Sequence, residues 1–252
     1  MRSWPLTGIL LSALVAAPAQ AADATGTAHM PAWDYIGGAN DDEGWAELSP
    51  AYALCGSGNH QSPVDIQDAK RGKLQPLAIL YREVNAIAQL REQALVVQLE
   101  GGTLRDGDTE YALKQLRLHS PAEHSIQGET HMLEIQFIHQ SADGKVLIVA
   151  ALADVGAENA ALAPLLANLP SLSTREKPLR LNAESLLPAQ RGYFAYEGSL
   201  TWPPCTEGVQ WRVMKTPLTV SKDQAHTIAT LLGRNARLPQ PLYLRSIQQT
   251  TE

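Results

Sequence analysis

The side chains best suited to chemistry lie in two segments of the chain, residues 115–124 (QLRLHSPAEH) and 131–139 (HMLEIQFIH). They supply imidazoles, carboxylates and amides, the groups that bind metals and move protons. One possible metal site would combine His119 with His131 or His139, because a zinc site needs several such donors converging in a tetrahedron. Nothing in the sequence shows that convergence, and this cluster stays an alternative.

Alternation of apolar and polar residues predicts the strands that would position these groups. The predicted strands are Ala94–Leu99, Tyr111–His119, His131–His139 and the nearly all-apolar Lys145–Leu152. Two short helices are predicted, Glu158–Leu169 and Ser221–Leu232, the second opening with an S-x-x-Q capping box. The chain therefore predicts a mostly β fold in a single domain, although the pattern alone does not give its topology.

The first 21 residues are arranged like a secretory signal peptide. Arg2 precedes an apolar run, and A-Q-A stands at residues 19–21. Two prolines interrupt the run, which is also short for a membrane span. We expect cleavage after Ala21, a mature domain over residues 22–252, and a periplasmic or secreted protein that does not span a membrane.

Charge and cysteine content restrict the partners and the compartment. The formal net charge is −6 and no basic run occurs, which argues against nucleic acid as a partner. The two cysteines are Cys55 and Cys205. An even count in an exported chain favours one disulfide over two free thiols.

Several segments, in the same order along the chain, resemble the α-carbonic anhydrase family in its secreted bacterial form. They are residues 61–66 (QSPVDI), 115–124, 133–139 (LEIQFIH), 196–211 (YEGSLTWPPCTEGVQW) and 235–245 (NARLPQPLYLR). The resemblance implies a large, twisted, mainly antiparallel sheet with short peripheral helices. It also implies a disulfide between Cys55 and Cys205.

The resemblance implies zinc ligands at three positions, and only one of them holds a histidine. In the family, an H-x-H pair on one strand and a histidine on the adjacent strand hold zinc, which lowers the pKa of its bound water to about 7. The matching residues are Arg117, His119 and Gln136. Arg117 has no lone pair to donate, and the amide of Gln136 is a weak zinc ligand. We therefore expect no zinc cofactor.

The residues that support the family's zinc site are present. The resemblance assigns Gln115 and Glu134 to orienting the first and third zinc histidines, and Asn235 to holding the second. It assigns Thr201 to positioning the zinc-bound hydroxide, with Glu123 as hydrogen-bond acceptor of Thr201. A buried guanidinium needs a carboxylate, so we expect Arg117 to occupy part of the zinc volume and to pair with Glu134 or Glu123.

The substrate pocket implied by the resemblance also differs. Trp202 replaces a second small hydroxyl residue and would fill the space where carbon dioxide or bicarbonate lies. The apolar wall matches Ile138, Ile148, Leu200 and Trp211, which would serve equally well as plain core residues. Leu95 aligns with the family's proton-shuttle histidine.

Three functions remain after this comparison. The favoured one is a non-catalytic, carbonic-anhydrase-like exported protein that binds an unknown protein or a small anionic ligand, the latter at Arg117. The alternative is a zinc carbonate dehydratase with a divergent or relocated metal site. The third is different acid–base chemistry by Thr201, His119 and Glu123 or Glu134, for which no recognisable activating pair is present.

Overall fold

The computed structural model of the protein describes residues 31–37, 40–171 and 174–251. The predicted signal peptide and its cleavage site lie outside these residues, so both remain predictions. No helix among the described residues is both long and apolar enough to span a membrane.

The described chain is mostly strand, as the sequence predicts. The strands are β1 (Asp65–Ile66), β2 (Lys70–Arg71), β3 (Ala78–Tyr81), β4 (Glu83–Arg91), β5 (Ala94–Leu99), β6 (Gly102–Asp106), β7 (Thr109–His119), β8 (Ser125–Ile126), β9 (Glu129–Thr130), β10 (Leu133–Ser141), β11 (Val146–Val155), β12 (Glu176–Asn182), β13 (Tyr193–Ser199), β14 (Glu207–Met214), β15 (Leu218–Val220) and β16 (Gln248–Gln249). The four strands predicted from alternation correspond to β5, β7, β10 and β11, with boundaries shifted by at most a few residues.

One large mixed sheet organises the described residues. Its main path runs β12-β4-β5-β7-β10-β11-β14-β13-β16-β2, with β15 beside β11 and the β3–β6 pair beside β7. Most pairings are antiparallel, and the exceptions in this sheet are β11 with β14, β11 with β15 and β16 with β2. A small second sheet joins β1, β8 and β9.

Both faces of the central strands are buried, which explains the nearly all-apolar β11. Side chains alternate between the faces of a strand, so each face packs into its own cluster. Leu147, Val149 and Ala151 pack in a large cluster on one face, and Ile148 and Ala150 pack in a second cluster on the other. The polar residues of the candidate site share the second face.

Helices are short and peripheral. They are α1 (Trp45–Leu48), α2 (Leu54–Ser57), α3 (Ala163–Leu166) and α4 (Lys222–Leu232), with 3₁₀ turns at Pro50–Tyr52, Ala160–Leu162 and Ala183–Leu186. The capping box before α4 is confirmed, with Ser221 and Gln224 bonded reciprocally. The helix predicted over Glu158–Leu169 is wrong in extent. Asn159 caps a 3₁₀ turn there, and only α3 continues it.

The predicted disulfide is present. Cys55 and Cys205 are bonded, with 150 residues of sequence separation. Both lie in an aromatic cluster with Tyr35, Trp45 and Tyr52. The bond therefore joins α2, near the start of the described chain, to the loop that follows β13.

Removing the bond by a Cys55→Ala/Cys205→Ala change should destabilise the protein strongly. A cross-link that closes a loop of this length restricts the unfolded chain by about 5 kcal/mol in the chain-entropy model. Urea unfolding of the oxidised protein and of the double variant measures the difference. Equal unfolding midpoints would contradict the prediction.

Candidate functional site

Pairing of β7 with β10 places four polar side chains on one face of the sheet. Arg117 lies opposite Gln136, and His119 lies opposite Glu134. Directly opposite residues on antiparallel strands point to the same face. All four are buried, each with at most 1% of its surface exposed. The structure thus brings together the three positions that the sequence comparison matched to zinc ligands.

An amide between two carboxylates forms the middle of this cluster. Gln136 Nε2 donates to Glu123 Oε2 at 2.7 Å and to Glu134 Oε1 at 3.0 Å. Because both neighbours are acceptors, the NH₂ end of the amide must face them. Gln136 Oε1 points elsewhere and has no hydrogen-bond partner.

Glu134 is held by the segment that follows β7. It accepts the backbone N–H groups of Glu123 and His124 at 2.9 and 2.8 Å, and its other oxygen contacts His124 Nδ1 at 2.9 Å. Burial alone would raise the pKa of Glu134, but His124 lowers it overall by charge and hydrogen bonds. The neighbouring Glu123 responds oppositely, since burial and the Glu134 charge raise its pKa.

His119 is oriented by the backbone of Asn235. Its Nδ1 lies 2.7 Å from the Asn235 carbonyl oxygen, to which it donates, and 3.5 Å from Glu123 Oε1. Burial and the nearby Arg117 charge lower the pKa of His119 to about 4. The imidazole is therefore neutral at pH 7, and Nε2 carries a lone pair that has no partner.

Arg117 does not pair with Glu134 or Glu123, and that prediction is wrong. Its Nη1 donates to Glu92 Oε2 at 2.7 Å, and its Nη2 donates to the Glu92 carbonyl oxygen at 3.1 Å. The physical reason is that Glu134 and Glu123 are already bonded to Gln136 and to backbone N–H groups. The network is therefore centred on Gln136 and its two carboxylates, not on Arg117.

Aromatic rings enclose the cluster. The guanidinium of Arg117 lies 3.9 Å from the centroid of the Trp202 ring, a cation–π contact. Tyr35 meets His119 edge-on, with ring centroids 6.2 Å apart, and its hydroxyl faces Arg117. Trp202 thus covers Arg117, and its effect on a substrate space stays a prediction.

Five buried polar atoms of this one cluster have no hydrogen-bond partner. They belong to residues that pack together, and are Tyr35 OH, Arg117 Nε, His119 Nε2, Gln136 Oε1 and Thr201 Oγ1. The Thr201 hydroxyl faces Glu123 and lowers its pKa, although the geometry falls short of a hydrogen bond. Buried polar groups are normally satisfied, so the centre has unused hydrogen-bonding capacity.

The residues that the resemblance assigns to supporting a zinc site differ in whether they contact the matching ligand positions. Asn235 contacts His119, and Glu134 contacts Gln136, so each lies beside the position that the resemblance gave it. Gln115 instead accepts a hydrogen bond from Gln98 at 3.0 Å.

The pocket residues form ordinary core. Ile138, Ile148, Trp202 and Trp211 pack in one buried cluster, with Leu200 against its edge. Leu95 pairs with Leu118 and lies in the cluster on the opposite face of the sheet. It therefore lies on the other face from the buried polar residues, and its match to the shuttle position stays a prediction.

The histidines proposed for a relocated metal site do not meet. His131 contacts Asp154, and His139 contacts Tyr81 and the Leu147 carbonyl oxygen. Over the described ranges, no group of three or more His, Cys, Asp or Glu side chains is arranged to hold a metal.

The donor set of the centre does not fit zinc. His119 Nε2 is the one imidazole nitrogen available, Gln136 Oε1 is a weak ligand, and the Arg117 cation would repel a dication. Glu123 and Glu134 are bonded to Gln136. A four-coordinate zinc site needs three good protein ligands, and this centre supplies one.

Sequence reasoning missed Glu92 and Tyr35. Glu92 lies in the turn between β4 and β5, and Tyr35 lies in the segment before α1. Neither belongs to a motif. No Gly, Pro, Asn or Asp marks the turn at Glu92, and no pattern in the sequence indicates that the Glu92 side chain reaches Arg117.

Comparison with known proteins agrees on one family. Residues 40–251 match the family model described as eukaryotic-type carbonic anhydrase. The chain is 34% identical over 221 residues to a carbonic anhydrase of Pectobacterium atrosepticum, covering 85% of this chain and 89% of that protein.

Solved structures give the same result. The α-carbonic anhydrase of Photobacterium profundum superposes with a TM-score of 0.81 at 35% identity, covering 86% of this chain and all of that one (100%). Dioscorin complexed with ascorbate superposes with a TM-score of 0.80 at 32% identity, covering 87% and 98%.

The neutral His119 predicts a pH-dependent stability. The folded state holds its pKa at about 4, below the value of about 6.5 in an unfolded chain, so stability is full above pH 6.5 and is lost as pH falls toward 4. Between pH 4 and 6.5, His119 takes up a proton when the protein unfolds. His119→Gln should therefore lower the number of protons bound on unfolding by about one in this pH range. Denaturant unfolding between pH 4 and 7 measures the slope, and an unchanged slope would contradict it.

Proposed function

Since the chain belongs to the eukaryotic-type carbonic anhydrase family, we propose that it is an exported binding protein of that family without a zinc centre. Its recognition group is Arg117, and its ligand is a small anion. One observation carries the proposal. A guanidinium lies buried beside His119 and Gln136, where the family resemblance calls for an imidazole.

The charge of Arg117 argues against a metal at this point. A buried cation is costly unless a carboxylate pairs with it, and here Glu92 and the Trp202 ring compensate for the cost. A dication beside that guanidinium would meet direct repulsion in a medium that screens poorly. Without the metal there is no lowered water pKa, and therefore no hydroxide for hydration of carbon dioxide at pH 7.

The same features favour an anion. Guanidinium binds planar carboxylates with two parallel hydrogen bonds. The Tyr35 hydroxyl faces Arg117, and neither it nor Arg117 Nε makes a hydrogen bond of normal geometry. Dioscorin, a relative of the same fold, was solved with ascorbate, a small organic anion.

A second function is favoured by the names of the relatives. Bacterial relatives from Pectobacterium atrosepticum and Neisseria gonorrhoeae are called carbonic anhydrases. The Asn235 contact to His119 and the Glu134 contact to Gln136 are also in place. In this reading the chain is a carbonate dehydratase with a divergent metal site.

Export is part of the proposal. The Cys55–Cys205 disulfide favours an oxidising compartment, and several of the matching relatives are bacterial. We propose cleavage after Ala21 and a mature domain over residues 22–252, in the periplasm or outside the cell. A protein partner is compatible with this location and is left unidentified.

Metal analysis with a carbon dioxide hydration assay separates the two functions. The purified full chain should contain far less than stoichiometric zinc after incubation with zinc and dialysis, and should not accelerate hydration. Stoichiometric zinc, together with hydration that a sulfonamide inhibits, would overturn the proposal in favour of the dehydratase.

Restoring two imidazoles should restore metal binding. Arg117→His with Gln136→His supplies the three-nitrogen set beside Asn235 and Glu134, so zinc should bind near one equivalent. Cobalt substitution gives a visible absorption that reports tetrahedral geometry. Gln136→His alone is the matched control and should bind zinc much more weakly.

If the double variant folds but does not bind zinc, the centre has been altered beyond these two ligands. That result would contradict the idea that only the ligands were replaced.

A further inference from the structure

The partner of Arg117 comes from a turn on the surface, not from the core. Glu92 and Gln93 form the two-residue connection between β4 and β5. Both have positive φ angles, 50° and 56°, as a tight hairpin turn requires. This turn carries the Glu92 carboxylate to Arg117 across 25 residues of sequence.

The ion pair is unequal in its exposure. The Arg117 side chain is 1% exposed, whereas that of Glu92 is 37% exposed. Glu92 Oε1 also contacts Arg91 on the surface at 2.8 Å. The guanidinium is thus enclosed, whereas its carboxylate partner is open to solvent and already contacts Arg91.

A second buried arginine gives the contrast. Arg212 and Asp106 form an ion pair in which the side chains are 10% and 18% exposed. Both partners are enclosed there, which is typical of a structural pair. In the pair of Arg117 with Glu92, by contrast, the arginine is buried and the carboxylate is exposed to solvent.

Hydrogen-bonding capacity is left over beside Arg117. Its Nε and the Tyr35 hydroxyl, which faces Arg117, make no hydrogen bond of normal geometry. The carboxylate of a bound small molecule would carry the same charge as that of Glu92. It could also approach the donor groups that Glu92 leaves unused. Glu92 cannot do so, because its backbone is fixed in the turn, where Gln93 accepts from Asn235 Nδ2 at 3.0 Å and donates to Trp33 at 3.2 Å.

We propose that Glu92 is an internal substitute for the ligand. It occupies on Arg117 the place of the carboxylate of a small monocarboxylate, and binding of that ligand displaces Glu92 toward solvent and Arg91. The inference rests on the proposed function, because it assigns the class of ligand and the competing group at the same centre. The protein therefore binds its ligand more weakly than the bare arginine would.

Glu92→Gly tests this inference directly. Glycine adopts positive φ freely, so the turn is kept while the competing carboxylate is removed. Sodium formate is the probe, exchanged for chloride at constant ionic strength, with the thermal midpoint and Trp fluorescence as readouts. Formate should raise the thermal midpoint of the variant to a plateau. The formate concentration at half-saturation should be at least tenfold lower than for the unaltered chain.

Three further variants complete the test. Gln93→Gly makes the same backbone change one residue away and keeps the carboxylate, so its formate response should equal that of the unaltered chain. Glu92→Gly with Arg117→Gln should lose the response. Glu92→Gln keeps the side-chain volume, removes the charge, and should bind formate more tightly than the unaltered chain if the glycine variant does not fold.

The outcomes separate this inference from the proposed function. Equal formate affinity in the Glu92 variants and the unaltered chain, or binding that survives loss of Arg117, overturns the inference alone. Zinc-dependent hydration by the unaltered chain overturns the proposed function, whatever formate does.

Discussion

The register between β7 and β10 is the constraint on which the centre depends. It sets Arg117 against Gln136 and His119 against Glu134, and a shift of one residue would turn all four side chains to the apolar face. The neighbouring β11 fixes this choice, because its alternate residues fill separate clusters on the two faces of the sheet. Polar groups are thereby buried beside an apolar core, where a polar group without a partner is costly.

Charge in that core is compensated locally. Glu134 is satisfied by backbone N–H groups and His124, and Glu123 by Gln136 and the backbone N–H of Arg237. Arg237 itself is buried, donates to Gln61 and to backbone carbonyls, and lies over Trp45. Arg117 is the exception, since its counter-charge lies at the surface. The two carboxylates are therefore bonded to buried groups, whereas the guanidinium is bonded to a residue at the surface.

Much of this was predictable from sequence. Alternation predicted β5, β7, β10 and β11, and motif order predicted the family, the disulfide and the grouping of His119 with Gln136, because these depend on local patterns or on conserved order along the chain. The partner of Arg117 was not predictable. It depends on how far a hairpin turn projects, which is a property of three-dimensional packing.

The disulfide has a consequence for how the centre is held together. Cys205 ends the short loop that carries Thr201 and Trp202, with its N–H bonded to the Trp202 carbonyl oxygen. Cys55 packs in the same aromatic cluster as Tyr35. Two walls of the centre, one from each end of the described chain, are thus tied by a covalent bond that forms only where thiols are oxidised. Reduction of this bond would untie the two walls from each other, whereas the strand pairing that sets the register of Arg117 does not depend on it.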